Sequence, residues 1–150
     1  MKVIVASGYF DPIHVGHIEY LEKSKSLGDK LIVIVNNDKQ TCLKKGKPFM
    51  CQEDRVKIVQ SLKCVDDAFL SIDSDATVSE SIEKVFLMTE NFQDKMVFAN
   101  GGDRYQGEIP EAKICYEYRI EMVDGLGEKI RSSSELTKPN NHNDGCGYDD

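Results

Sequence analysis

Short apolar segments of strand length alternate with helical patterns along almost the whole chain, and this alternation restricts the fold more than any other feature. Five apolar segments are typical of buried strands: Val3–Ala6, Leu31–Val35, Ala68–Ile72, Met96–Ala99 and Ile120–Val123. Leu31–Val35 is apolar at every position, which is the pattern of a strand covered on both faces. Strands of this kind belong to parallel sheets with helices packed against them.

The segments between these strands have the apolar spacing of helices. Helices are predicted over four of them: Val15–Leu27, Gln52–Leu62, Val78–Met88 and Ile109–Tyr118. Gly28 follows the first, where a left-handed C-terminal cap is common, and a basic loop is predicted over Lys44–Pro48. Ser132 and Glu135 have capping-box spacing, so a last helix is expected to begin there. The fold class is therefore α/β, a Rossmann-like open five-stranded parallel sheet with helices on both faces.

The chain has 150 residues, a length that suits one domain with one core. We assign residues 1–138 to that domain, and we interpret residues 139–150, mostly Asn, Asp and Gly, as a disordered tail. No apolar run is long enough to span a bilayer, and the N-terminal segment lacks the pattern of a secretory signal. We expect a cytoplasmic protein that does not contact membranes.

Charge and cysteine content exclude several classes of protein. The net charge of −7 argues against nucleic-acid binding, because contacts to a phosphate backbone require a surplus of Lys and Arg. A single nucleotide remains possible, since it needs only a local positive patch. The five cysteines have no C-x-x-C spacing, and their odd number argues against a disulfide framework or a zinc knuckle. We expect free thiols in a reducing compartment.

Glycine- or serine-rich loops follow three of the predicted strands. They cover Gly8–His17, with the sequence G-Y-F-D-P-I-H-V-G-H, then Gly101–Arg104 and Gly127–Ser134. In open parallel sheets, ligands bind beyond the carboxyl ends of the strands. Loops of this composition that lead into helix N-termini expose backbone N–H groups to anions. The sequence therefore predicts an anion-binding site at this edge of the sheet.

His14 and His17 lie three residues apart at the start of the first predicted helix, so both rings can lie on one side of it. Gly16 between them would let a phosphate approach the backbone closely. Imidazoles beside exposed N–H groups can stabilise the charge that grows on phosphate oxygens during transfer. A structural alternative is a helix cap beside a solvated histidine. A zinc site that includes Asp11 is a weaker alternative, because the spacing differs from H-E-x-x-H and no usual third ligand is evident.

The first loop resembles the H-x-G-H signature of the cytidylyltransferase-like nucleotidyltransferase family. Ser132–Ser134 resembles its second signature, a Ser/Thr triplet that opens the final helix, and Gly101–Asp103 falls where related enzymes carry a glycine–aspartate loop. The resemblance covers residues 1–138, and the most similar subgroups are glycerol-3-phosphate cytidylyltransferases and heptose-phosphate adenylyltransferases. It implies transfer of CMP or AMP from CTP or ATP to a phosphorylated small molecule, such as glycerol 3-phosphate or a sugar phosphate, with release of pyrophosphate.

The same resemblance implies in-line attack on the α-phosphorus, without a covalent enzyme intermediate. The catalytic residues would be His14, His17 and a mobile lysine, either Lys44 or Lys45. Asp11 would help to position the acceptor phosphate or Mg²⁺, Arg55 would contact the acceptor, and Mg²⁺ would bind through the triphosphate. The residues that would bind the nucleotide are Gly8, Tyr9, Phe10, Asp11, Gly16, Gly101, Asp103, Arg131, Ser132 and Ser133.

Several points stay open at this level. The cytidylyl subgroup carries an arginine several residues before the triplet, in a slot that lies near Gly127 here, and Lys129 or Arg131 could take its place. CTP and ATP are therefore both allowed. The resemblance makes a homodimer the expected assembly. The alternative function is a nucleotide-binding regulatory module without turnover, whereas a redox enzyme is disfavoured because no G-x-G-x-x-G follows the first strand.

Overall fold

The computed structural model describes residues 1–88, 95–100 and 110–123. Five strands form one sheet in these ranges: β1 Lys2–Gly8, β2 Lys30–Val35, β3 Asp67–Leu70, β4 Lys95–Ala99 and β5 Glu121–Val123. Their order is β3-β2-β1-β4-β5, and every pair of neighbours is parallel. The predicted fold class is confirmed, and all five predicted strands are present with boundaries that differ by at most two residues.

The helices of the described ranges lie between these strands: α1 Val15–Ser26, α2 Asp38–Lys45, α3 Gln52–Gln60, α4 Ser79–Met88 and α5 Ala112–Glu117. Four of them match the predicted helices and have slightly shorter ends. The predicted last helix, from Ser132, lies outside the described residues, and so does the tail, 139–150.

Two apolar layers cover the sheet, one on each face. Ile4 and Val5 of β1 illustrate the separation, because successive strand residues point to opposite faces. Ile4 packs in the layer that contains Leu21 of α1 and Val59 of α3. Val5 packs in the layer that contains Ile82 of α4. Helices therefore cover both faces, and the carboxyl ends of the strands are left for a ligand.

Helix α2 was not predicted, and its presence corrects the prediction that Lys44 and Lys45 lie in a loop. These two lysines are the last residues of α2 and do not belong to a loop. The Asn37 side chain caps the helix by accepting from the Gln40 N–H at 2.8 Å, and the Gln40 side chain accepts from the Asn37 N–H at 3.0 Å. Periodicity missed α2 because its sequence, DKQTCLKK, has no apolar stripe. The capping-box spacing of Asn37 and Gln40 was the available signal.

Gly28 does not act as the predicted left-handed cap. Helix α1 ends with Leu27 as its C-cap in right-handed conformation, and Gly28 has no positive φ. The reason for glycine is space: a Cβ at this position would lie 2.7 Å from the carbonyl oxygen of Lys2 and 2.9 Å from the Ile4 side chain. The turn into β2 packs directly on the start of β1.

We expect Gly28→Ala to lower the free energy of unfolding by about 1–3 kcal/mol, because the added methyl group must displace the β1 backbone or the fully buried Ile4. Urea denaturation measures the change. The control is Lys23→Ala on the exposed face of α1, expected to stay within about 0.5 kcal/mol of the unsubstituted protein. Equal stability of the two variants would contradict this interpretation of the turn.

The four cysteines in the described ranges, Cys42, Cys51, Cys64 and Cys115, are free thiols, as predicted, and Cys146 lies outside those ranges. Burial, followed by the nearby Glu111 carboxylate, raises the pKa of the Cys115 thiol to about 12. That thiol therefore stays protonated near neutral pH.

Candidate active site

The loop after β1 is built around two close approaches. A Cβ at Gly8 would lie 2.8 Å from the Phe10 ring, so glycine lets that ring fold back under the end of β1. Phe10 is fully buried and has a φ of 53°, a backbone conformation that non-glycine residues adopt at a cost. The Phe10 ring meets the His17 ring edge-on, with 5.0 Å between centroids. Phe10 therefore packs against the ring of a predicted catalytic residue.

His14 and His17 form a reciprocal cap at the N-terminus of α1. The His14 Nδ1 accepts from the Gly16 N–H at 3.1 Å, and the His17 Nδ1 accepts from the His14 N–H at 3.0 Å. The two rings lie 3.9 Å apart between centroids, and His17 is almost completely buried. Because each Nδ1 is an acceptor, the neutral form of each ring carries its proton on Nε2. The predicted capping alternative is thus part of the arrangement, and it orients two donors beside the positive end of α1.

Tyr20 lies where β1 and β4 diverge. The register between these strands runs to Ala6 opposite Ala99. Beyond it, the Ser7 N–H donates to the Tyr20 hydroxyl at 3.3 Å, and that hydroxyl donates to the Ala99 carbonyl at 2.6 Å. Burial raises the pKa of the Tyr20 hydroxyl, so it remains a neutral donor. A side chain from α1 thus joins the two strands at the edge where the site opens.

Asp11 has a different surrounding from the one its predicted role suggests. Its carboxylate is fully buried and accepts from the Phe49 N–H at 2.9 Å and from the Met50 N–H at 2.6 Å. These bonds tie the loop after β1 to the segment that joins α2 and α3. Asp11 therefore positions the segment after α2 relative to the loop that carries the histidines, and its predicted contact with a ligand stays a prediction.

Arg55 is bound by protein acceptors on all sides of its guanidinium, and its predicted contact with an acceptor phosphate stays a prediction. Its side chain is completely buried in α3. The guanidinium donates to protein acceptors on four residues: Nε to the Met50 carbonyl at 3.1 Å, Nη1 to the carbonyls of Tyr9 and Asn36 at 2.7 Å each, and Nη2 to the Asp38 carboxylate at 2.7 Å. These acceptors lie directly after β1 and β2, at the start of α2 and in the segment that joins α2 to α3. Arg55 holds these segments together.

A cavity of about 370 Å³ opens at the carboxyl ends of β1, β2 and β4. This is the point where the strand order reverses, because the chain runs outward from β1 to β3 and then returns to the other side of β1. The volume lies within the range of about 300–1,000 Å³ typical of small-molecule sites. The described residues that line the cavity are Ser7, Gly8, Tyr9, Asn36, Lys44, Ala76, Val78, Phe98, Asn100, Pro110 and Glu111.

Lys44 extends from α2 to this cavity. Its Nζ lies 4.4 Å from the centre of the Tyr9 ring, a cation–π contact that holds the ammonium group at the cavity wall. The predicted nucleotide residues Gly8 and Tyr9 also line the cavity. Neither histidine is among the described residues that line the cavity. We call the two imidazole rings together with the N-terminus of α1 the histidine compartment, and we describe it separately from the cavity.

Other predicted residues fall beyond the part of the chain that the structure describes: Gly101, Asp103, Arg131, Ser132 and Ser133. Their predicted approach to the histidines remains a prediction. Sequence patterns did not indicate Tyr20, Asn100 or Glu111, since none of them lies in a motif. The position of Asn100 directly after β4 was the available signal.

Two kinds of feature are absent from the part of the chain that the structure describes. Residues 1–88, 95–100 and 110–123 contain no group of three or more His, Cys, Asp or Glu side chains that could hold a metal ion. Nor does any helix in these ranges have the length and apolar character required to cross a bilayer.

The chain is similar to a known family over most of its length. Residues 5–135 match the family described as cytidylyltransferase-like. FAD synthase of Methanocorpusculum labreanum is 36% identical over 138 residues, which cover 91% of this chain and 93% of that protein. Bifunctional protein HldE of Wolinella succinogenes is 31% identical over 140 residues, which cover 91% of this chain and 26% of that longer protein.

A solved structure supports the same relationship. The crystal structure of a lipopolysaccharide core biosynthesis protein from Thermoplasma volcanium superposes with a TM-score of 0.65 and 26% sequence identity. The superposition covers 85% of this chain and 98% of that one. The likeness therefore covers most of this chain and nearly all of that one.

Proposed function

This chain belongs to the cytidylyltransferase-like family and is a nucleotidyltransferase, and from that premise we propose that it transfers AMP from ATP to FMN, forming FAD and releasing pyrophosphate. The observation that carries the proposal is the alignment with a FAD synthase along 91% of the chain. FMN is a phosphorylated small molecule, the acceptor class that the sequence predicts. It takes precedence over glycerol 3-phosphate and sugar phosphates, and ATP takes precedence over CTP.

The histidine compartment is suited to the triphosphate. An oxygen of the FMN phosphate attacks the α-phosphorus of ATP, a new P–O bond forms, and the bond from the α-phosphorus to the β-phosphate bridging oxygen breaks. Negative charge grows on the α-phosphate and on the departing pyrophosphate. The Nε2–H groups of His14 and His17 would donate hydrogen bonds to these oxygens, and the N-terminus of α1 adds partial positive charge. Both are oriented before the charge develops.

The cavity is suited to the acceptor. The Lys44 ammonium group at its wall can pair with the FMN phosphate and lower the repulsion between two anionic substrates. The Tyr9 and Phe98 side chains offer apolar surface for a planar ring. With the acceptor in the cavity and the triphosphate beside His14, the attacking oxygen would approach the α-phosphorus from the cavity.

The described residues do not form a metal-binding group, and the Asp11 carboxylate is engaged by two backbone N–H groups. A divalent ion such as Mg²⁺ would enter the site bound to the triphosphate and would neutralise part of its charge. The homodimer and the cytoplasmic location stay predictions.

The test is to incubate the purified protein with ATP or CTP and Mg²⁺, and with FMN, glycerol 3-phosphate or a sugar 1-phosphate. We expect FAD, identified by chromatography, together with an equal amount of pyrophosphate, from ATP and FMN only. Turnover with glycerol 3-phosphate or a sugar phosphate in preference to FMN would overturn the proposed acceptor.

Substitutions of two lysines test whether the cavity takes part in that activity. Lys44→Ala should lower kcat/KM for FMN by about 10–100-fold, because the charge opposite the phosphate is lost. Lys47→Ala removes a charge from the exposed segment that follows α2 and serves as the matched control. Equal effects of the two changes would indicate a general charge effect and would remove Lys44 from the proposed site.

A further inference from the structure

Glu111 places a buried carboxylate in the cavity that the proposed function assigns to an anionic acceptor. The residue is 9% exposed and lines the cavity. It occupies the N-cap position of α5, yet its side chain does not cap that helix. Instead, Oε2 accepts from the Val78 N–H at 3.0 Å, at the start of α4. A phosphate does not bind favourably beside this carboxylate, since both groups are anionic hydrogen-bond acceptors.

The second oxygen of the Glu111 carboxylate gives the group capacity for another donor. A carboxylate carries two oxygens and about four acceptor positions, and the Val78 N–H uses one of them. Burial makes a hydrogen bond at the remaining positions more valuable than it would be in water. The group that suits it is an N–H or O–H of a ligand.

Asn100 adds a donor to the same cavity. It follows β4 directly, and its backbone N–H donates to the Val123 carbonyl at 2.7 Å, which fixes the residue. Its side-chain Nδ2 is buried and has no hydrogen-bond partner among the described residues. Burial of an amide N–H group is costly unless it finds an acceptor. A ligand carbonyl in the cavity would supply that acceptor.

A fixed acceptor and a fixed donor in one cavity match a rigid ligand edge that carries N–H beside C=O. The flavin ring has such an edge in its imide, with a ring N–H between two carbonyls. Phe98 and Val78, which also line the cavity, offer apolar contact to the ring faces. We propose that Glu111 and Asn100 recognise the imide edge of the acceptor's flavin ring, with Glu111 accepting from the ring N–H and Asn100 donating to an adjacent carbonyl. The proposal rests on the proposed function for the identity of the acceptor.

The test combines one side-chain change with one ligand change. Glu111→Gln keeps the shape but leaves one acceptor oxygen for two donors, so either the Val78 N–H or the ring N–H loses its partner. N3-methyl-FMN removes the ring N–H without any change to the protein. We expect each change alone to lower kcat/KM by about 10–100-fold, and the combination to lower it little further, because both remove the same hydrogen bond.

A binding measurement gives a readout that does not depend on turnover. Flavin fluorescence, titrated with protein in the absence of ATP, should show a Kd for FMN that rises about 10–100-fold with either change. Glu117→Gln, an exposed glutamate on the same helix, is the control for charge and should leave the Kd unchanged. Thermal denaturation of each variant separates a loss of folded protein from a loss of recognition.

The outcomes separate this inference from the proposed function. Multiplicative losses, or equal affinity of the unsubstituted protein for FMN and N3-methyl-FMN, would overturn the role of Glu111 and leave FAD formation in place. Binding that depends on the ring N–H, without FAD formation, would support recognition and overturn the proposed reaction. Absence of flavin binding would overturn both.

Discussion

Replacing His17 by asparagine is expected to lower kcat for adenylyl transfer by about 10²–10³-fold while the fold is kept. The asparagine side-chain oxygen lies close to the position of the imidazole Nδ1, so it can still accept from the His14 N–H and preserve the cap of α1. It has no group at the position of Nε2. The variant therefore keeps the cap and removes the donor that would meet the charge growing on the phosphates, together with the ring contacts to Phe10 and His14.

His17→Gln is the complementary change. Its terminal amide nitrogen can reach toward the position of Nε2, but no acceptor remains for the His14 N–H. We expect it to retain more activity than His17→Asn and to lose about 1 kcal/mol of folding free energy through the weakened cap. Pyrophosphate release under saturating ATP and FMN gives kcat, and urea denaturation gives stability. Similar kcat values for His17→Asn and the unsubstituted protein would refute the catalytic role of this ring.

The sheet and the position of the site could be predicted because they depend on local patterns. Leu31–Val35 is apolar throughout since it is covered on both faces, and the loop from Gly8 to His17 follows a strand that lies at the switch point. The strand order was not predicted, because the rule that parallel strands are joined by right-handed crossovers allows more than one order. Helix α2 was not predicted, because a polar helix has no apolar stripe, and the capping-box spacing was the pattern that indicated it.

The roles of individual side chains depend on contacts between distant segments, which spacing does not encode. Asp11 lies in the family motif, yet its carboxylate binds backbone N–H groups 38 and 39 residues away. Glu111 gave no signal, because its partner Val78 is 33 residues away in the sequence. His14 and His17 were predictable since their partners lie within the same helical turn. Groups of residues that are close in the sequence can be predicted from it, whereas contacts between distant segments are seen only in the folded structure.

Arg55→Met is expected to lower the free energy of unfolding by about 3–5 kcal/mol, the largest loss of stability that we predict for a single substitution. The methionine fills most of the volume but donates no hydrogen bonds. The carbonyls of Tyr9, Asn36 and Met50 would then lose donors inside the protein. The Asp38 carboxylate contributes less to this loss, because its side chain is about one-third exposed and water can replace the guanidinium.

Arg55→Lys separates this positioning role from a direct contact with the acceptor. A lysine keeps the charge but cannot reach acceptors on four residues at once, so we expect about half of the loss seen with methionine. Lys57→Met, on the exposed side of α3, makes the matching change from cation to methionine and should stay within about 0.5 kcal/mol. Urea denaturation measures all three, and FMN kinetics at a temperature where each variant is folded gives KM. A raised KM for FMN in Arg55→Lys with unchanged stability would show that Arg55 binds the acceptor, and the buried network would then be incidental to its function.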